Sequence, residues 1–185
     1  MHGLMQSVGP CRLDTRVAPD AFQALLRAIV AQQVSAKAAR TVYERLSALT
    51  PEGRVTADVL INLPPDVVQA TGLGPTKTRY VYDLAAHVAA GRLDLTALAT
   101  LDDTAVITAL TAVRGIGTWT AEVFLIFQLQ RRDVFPAADL ALLTAIQRLY
   151  GTRQRPTPAE GRKFAERWRP YRSVASWYLW RSIEP

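Results

Sequence analysis

Apolar residues recur along most of the chain at intervals of three and four. In DAFQALLRAIVAQQ, Phe22, Leu25, Leu26, Ile29 and Val30 form one helical stripe, and Asp20 before it is a plausible N-cap. Ser35 has the same role ahead of AKAARTVYERLSAL, which stops before Thr50-Pro51. TADVLINL and PDVVQAT predict short helices, each marked off by proline or glycine. GPTKTRYVYDLAAHVAAG predicts a longer one, with Pro75 in its first turn and Gly91 beyond its end. LDDTAVITALTAV leads into VRGIGTWTAEVF, whose downstream helix carries Val123, Phe124, Ile126 and Phe127. AADLALLTAIQRLYG ends at Gly151, and two further helices fall in TPAEGRKFAERW and YRSVASWYLWRSI. Alternating strand patterns are nearly absent, and the sequence has no Asn-Gly or Asp-Gly hairpin turn. The expected fold is all-α, with about ten helices by the turn signals.

Composition narrows the class. Of 185 residues, 49% are hydrophobic, enough for a packed core, and no low-complexity tract points to disorder. No segment approaches the roughly 20 apolar residues of a membrane span, and the first sixteen residues lack the apolar centre of a secretory signal. A single cysteine, Cys11, rules out an internal disulfide and a multi-cysteine metal site, so a cytoplasmic setting is expected. The net charge of +6 favours a polyanionic partner, although a solvated basic surface explains it nearly as well.

Gly115-Ile116-Gly117 joins two predicted helices. One glycine admits a positive φ, and a second removes a side chain where a large anion could reach the backbone. The N–H groups that open the next helix, with its dipole, make a phosphate site that reads no base sequence. On the two glycines alone, an ordinary tight turn between helices is the better account. A weaker echo, Gly72-Leu73-Gly74, also joins two helices, and Lys77 and Arg79 beside it read as solvated charges. Further on, Asp139 precedes an apolar helix, where a capping role is the common fate of such an acid.

Taken together, LTAVRGIGTWTAEVFLIF and DVFPAADLAL resemble the helix–hairpin–helix and Gly/Pro–Asp signature of the DNA glycosylase superfamily. RAIVAQQVSAKAA resembles the early helix pair of that family, and WRPYRSVASWYLWR is similar to the C-terminal helix of its 3-methyladenine DNA glycosylase II branch. The similarity runs from about residue 18 to 182 in the family's order.

The resemblance implies an enzyme that flips an alkylated base out of double-stranded DNA and hydrolyses its N-glycosidic bond. It assigns Asp139 as the catalytic carboxylate. Gly115, Gly117 and Thr118 supply backbone N–H groups to the DNA strand, and Thr120 a hydroxyl. Trp119 stands where strand-nicking relatives carry a lysine, so a monofunctional enzyme without lyase chemistry is implied. Trp119 and Trp180 line the base pocket, although Trp180 fits burial as readily. Val123 replaces a pocket aromatic. Gln33, or its neighbour Gln32, falls at the wedge position, and a glutamine pair at a helix end also satisfies backbone groups. Arg172 and Ser173 match the C-terminal motif, where packing or capping explains them as well.

No cofactor is implied beyond a monovalent cation, Na+ or K+, at the carbonyls of Thr111, Val113 and Ile116. The iron–sulfur loop of some relatives is ruled out by the lone cysteine. The chain is expected to be a monomer without the N-terminal mixed α/β domain of larger members. Residues 1–21 with 126–185 would form one subdomain and 22–125 the other. Three other readings stay open: a non-catalytic DNA-binding hairpin module, an all-α interaction domain, and a glycosylase for mismatched or oxidised bases.

Overall fold

The computed structural model describes residues 1–13, 18 and 20–183, and among these every regular element is helical. The α-helices are α1 (His2–Val8), α2 (Ala21–Ala31), α3 (Ala36–Ser47), α4 (Ala57–Asn62), α5 (Pro65–Val68), α6 (Gly74–Ala89), α7 (Asp103–Thr111), α8 (Thr118–Phe127), α9 (Leu140–Tyr150), α10 (Pro158–Ala165) and α11 (Arg172–Arg181). Short side-chain caps start most of them. Asp20 accepts from Gln23 N at 2.8 Å and Ser35 from Ala38 N at 3.2 Å, as the sequence predicts. Each such cap contributes about 1 kcal/mol by satisfying an orphan N–H. Gly151 ends α9 in the left-handed conformation at φ 66°, and Gly91 follows α6 at φ 68°. Helix α1 has no apolar stripe in the sequence and was not expected; it packs on α11, where Tyr178 Oη donates to Gly9 O at 2.9 Å.

The chain divides into two units, Met1–Arg16 with Glu122–Pro185 and Val17–Ala121. The division after Ala121 falls inside α8, one turn before the 125/126 boundary expected from the sequence.

In the Val17–Ala121 unit, the stripe of α2 is wholly inside: Leu25, Leu26 and Ile29 are fully buried, with Leu46 of α3, Leu60 of α4, Val81 and Leu84 of α6, and Leu110 of α7. Each such side chain contributes roughly 1.5–3 kcal/mol by leaving water. The two glycine turns of this unit differ. Gly72 and Gly74 both have positive φ, 99° and 75°, whereas at the second turn only Gly115 does, at 89°. The echo in sequence is therefore not a repeated backbone.

The other unit is centred on Phe135, Ala137, Leu142, Ala145, Ile146, Ala165 and Leu179, which bring α9, α10 and α11 onto one core. Helix α10 begins with a reciprocal cap, Thr157 Oγ1 accepting from Glu160 N and Glu160 Oε2 accepting from Thr157 N. Gly161 lets it lie close to α9, since a β-carbon there would stand 2.4 Å from Leu143 Cδ2.

Candidate active site and nucleic-acid interface

Asp139 is the N-cap of α9. Its Oδ1 accepts from Leu142 N at 3.0 Å, and its Oδ2 accepts from the Trp180 indole Nε1–H at 3.3 Å. The residue is 7% exposed, so the carboxylate is buried but polar-bonded on both oxygens. Trp180, half-buried on α11, stacks on Phe127 of α8 with ring centroids 5.6 Å apart. The two residues that the sequence singles out separately are thus one constellation. Phe127, which the sequence marks only as one of the apolar residues of α8, is a third member. It lies one turn beyond Val123 on the same face of α8, so an aromatic surface stands a turn away from the half-buried valine.

The loop that delivers Asp139 is held from α11. Arg172 donates to Asp133 Oδ1 at 2.7 Å, to Oδ2 at 3.0 Å and to its carbonyl at 2.8 Å. Burial pushes the Asp133 carboxyl up, but the Arg172 hydrogen bonds and the Arg172 and Arg169 charges outweigh it and leave it below its ordinary value. Ser173, fully buried, donates to Arg131 O at 2.6 Å and accepts from Val134 N at 3.0 Å. These two residues position the segment ahead of Asp139.

Glu122 of α8 was not anticipated. Burial pushes its carboxyl up to about 7, against the opposing charge of Arg162. No local sequence signal marks it, because an acid on an apolar helix reads as its solvent face.

In the Val17–Ala121 unit, the hairpin turn gives its two glycines different jobs. A β-carbon on Gly115 would come within 2.3 Å of Tyr80 Cδ2 and Cγ, so packing as well as φ requires glycine there. At Gly117 nothing lies within 4 Å of a β-carbon and φ is ordinary, so the protein itself has no use for the missing side chain. That open approach is what a ligand to the backbone needs. The first ladder bond of α8 is Ala121 N to Gly117 O at 3.0 Å, so the N–H groups of Thr118, Trp119 and Thr120 precede the ladder. Thr118 is exposed and Trp119 is 43% exposed. Thr120, expected to offer a hydroxyl to the strand, is only 5% exposed as a residue. Ile116 N donates to Val113 O at 3.1 Å, which leaves that carbonyl a second lone pair; backbone carbonyls such as those of Thr111, Val113 and Ile116 suit a monovalent cation.

The glutamine pair separates. Gln32 Nε2 donates to Gly115 O at 2.8 Å, tying the α2–α3 turn to the hairpin. Gln33 is exposed, with its backbone left-handed at φ 55°. Lys77 is a second correction. Rather than being wholly solvated, it is partly buried: its Nζ donates to Val30 O at 2.7 Å, and burial lowers its pKa. Two open grooves in this unit, of about 630 and 780 Å3, are lined by neither Gly115 nor Trp119.

Among the described residues no three His, Cys, Asp or Glu side chains gather as metal ligands, and no helix is long and apolar enough to cross a membrane.

The capped aspartate, the glycine hairpin and the all-helical frame define a class, and comparison agrees. Residues 26–170 match the HhH-GPD superfamily of base excision DNA repair proteins, and the chain belongs to that family. Among its relatives is the DNA-3-methyladenine glycosylase 1 of Schizosaccharomyces pombe, 31% identical over 163 residues that cover 87% of this chain and 72% of that protein. The fold is similar to the structure of an S. pombe 3-methyladenine DNA glycosylase in complex with abasic DNA: TM-score 0.89, 29% identity, covering 98% of this chain and 89% of that one. It is also similar to a DNA-3-methyladenine glycosidase from Bacillus halodurans: TM-score 0.86, 34% identity, covering 98% and 82%.

Proposed function

We infer that the chain is a DNA glycosylase of the 3-methyladenine type, a hydrolase that removes alkylated bases from double-stranded DNA and so begins base excision repair. The observation that carries the chemistry is the carboxylate of Asp139, fixed from both sides by α9 and by Trp180.

A base inside the stack is out of reach, so it must first be swung out of the duplex. The backbone N–H groups around Gly115, Gly117 and Thr118 would grip the strand, and Gln33, exposed and left-handed, would fill the gap. A monovalent cation on the carbonyls of Thr111, Val113 and Ile116 would add positive charge beside the phosphate. An alkylated purine already carries positive charge, so it departs with little help from a general acid. As the C1′–N bond breaks, its electron pair neutralises the leaving base. Asp139 stabilises the oxocarbenium-like sugar and orients the water that adds to C1′ and releases its proton to solvent. The products are the free base and an abasic site.

Trp119 has no amine to form a Schiff base with C1′, which supports a monofunctional enzyme. Its indole face and that of Trp180 suit a cationic base. The reading places the protein with chromosomal DNA in the cytoplasm, acting as a monomer.

The test is incubation with duplexes carrying single defined lesions. Free alkylated base together with strand breaks that need alkali is expected. Absence of base release from every lesion would overturn the glycosylase reading, and breaks without alkali would overturn the monofunctional assignment.

A further inference from the structure

Helix α6 bonds to both of the turns that the proposed function places on DNA. Lys77, Tyr80 and Asp83 follow one another at intervals of three and share one face of it. Lys77 Nζ donates to Val30 O, at the C-terminal end of α2, just before the wedge turn. The Tyr80 ring lies directly against Gly115. Asp83 Oδ2 accepts from Arg114 N at 2.7 Å, immediately before the hairpin glycine. Gln32 to Gly115 O closes the circuit between the two turns. Val81 and Leu84, one turn beyond Lys77 and Tyr80, are fully buried and anchor this side of α6 in the core.

The wedge turn has no glycine of its own. Gln33 must hold a left-handed backbone that an L residue adopts only when its surroundings impose it. The last carbonyls of α2 need partners from elsewhere, and a partly buried ammonium serves one of them, a charge-assisted bond stronger than water would give. Lys77 is partly buried beside that carbonyl, and burial lowers its pKa.

We propose that the Lys77–Tyr80–Asp83 face of α6 is a positioning brace that fixes the wedge turn at Gln33 in register with the hairpin at Gly115, so that gripping the strand sets the wedge at the correct base step. The proposal rests on the glycosylase reading. It assigns α6 no contact with DNA.

The experiment compares affinity for an undamaged duplex with affinity for the same duplex carrying a tetrahydrofuran abasic-site analogue. The variants are Lys77→Met and Asp83→Ala, with Lys77→Arg and Asp83→Asn as conservative partners. Undamaged DNA reports the strand grip, and the abasic analogue reports grip and wedge together. Each disruptive variant is expected to hold undamaged DNA within about threefold while its preference for the abasic duplex falls about tenfold. The double variant should lose little more than either single one, because one register is lost once. The conservative variants should restore the preference. A preference kept by both disruptive variants overturns the brace, as does a loss that follows their melting temperatures and is not recovered by the conservative pair. If Lys77→Met does not fold, Asp83→Ala decides the matter alone. Lack of any abasic preference in the wild-type chain overturns the DNA reading, and the brace with it.

Discussion

The indole of Trp180 donates to one oxygen of Asp139 while the first turn of α9 donates to the other. Residues 41 positions apart therefore aim a single carboxylate. Trp180→Phe keeps a ring against Phe127 and loses only the N–H. We expect kcat for base release to fall about three- to tenfold with DNA affinity preserved, measured by single-turnover kinetics and by binding.

Capping and chemistry at position 139 come apart by substitution. Asparagine caps a helix as well as aspartate, so Asp139→Asn should melt within about 0.5 kcal/mol of the wild type and still bind DNA. Its base release should fall by at least about a hundredfold, the scale of losing one group that stabilises the transition state. Asp139→Ala loses both roles, and about 1 kcal/mol of stability with them. Normal turnover by the asparagine variant would sink the assignment.

Gly115 and Gly117 predict opposite phenotypes. Gly115→Ala drives a methyl into the Tyr80 ring at a left-handed backbone and should cost roughly 2–4 kcal/mol in a denaturant melt. Gly117→Ala meets nothing in the protein, so its stability should match or slightly exceed the wild type. Its affinity for any duplex should nevertheless drop, because the methyl stands in the path of the strand.

Trp119 is 43% exposed, and Trp119→Ala should leave the melt nearly unchanged. Excision of a cationic alkylpurine should slow about three- to thirtyfold, whereas a neutral damaged base is affected less. Borohydride should trap no covalent complex of the wild-type chain with DNA.

Glu122 gives a pH signature. Its carboxyl titrates at about 7 in the folded chain against an ordinary 4.5, so the folded state holds the proton more tightly between those values. Wild-type stability should therefore fall as pH rises through that window. Glu122→Gln removes this dependence. Its melting temperature should exceed the wild type at pH 8, and the gap should close at pH 5.

The sequence reveals what is decided locally. Asp20 and Ser35 are short polar residues ahead of apolar stripes, and Gly91 and Gly151 follow the ends of others; these signals need no partner from afar. Asp139 was legible twice, as a cap and through its family motif. What escaped depends on distant partners. Lys77 looks like any basic residue until the Val30 carbonyl, 47 positions earlier, turns out to accept its hydrogen bond. Gln32 and Gln33 are chemically identical, and only the backbone beyond α2 decides which one reaches Gly115. Thr120 and Glu122 break the rule that polar side chains on a helix face water, and nothing in their immediate sequence marks the exception. Helix α1 carries no periodic stripe and so gave no sign.

The bare backbone of Gly161 has a reach beyond its own helix. A heavier residue there would lever α10 off Leu143 and carry Arg162, the next residue, away from Glu122. With that opposing charge withdrawn, the acid would give up its proton at still higher pH. A steric lesion would then surface twice, as a lower melting point and as an altered titration curve legible by NMR at a carboxylate on another helix.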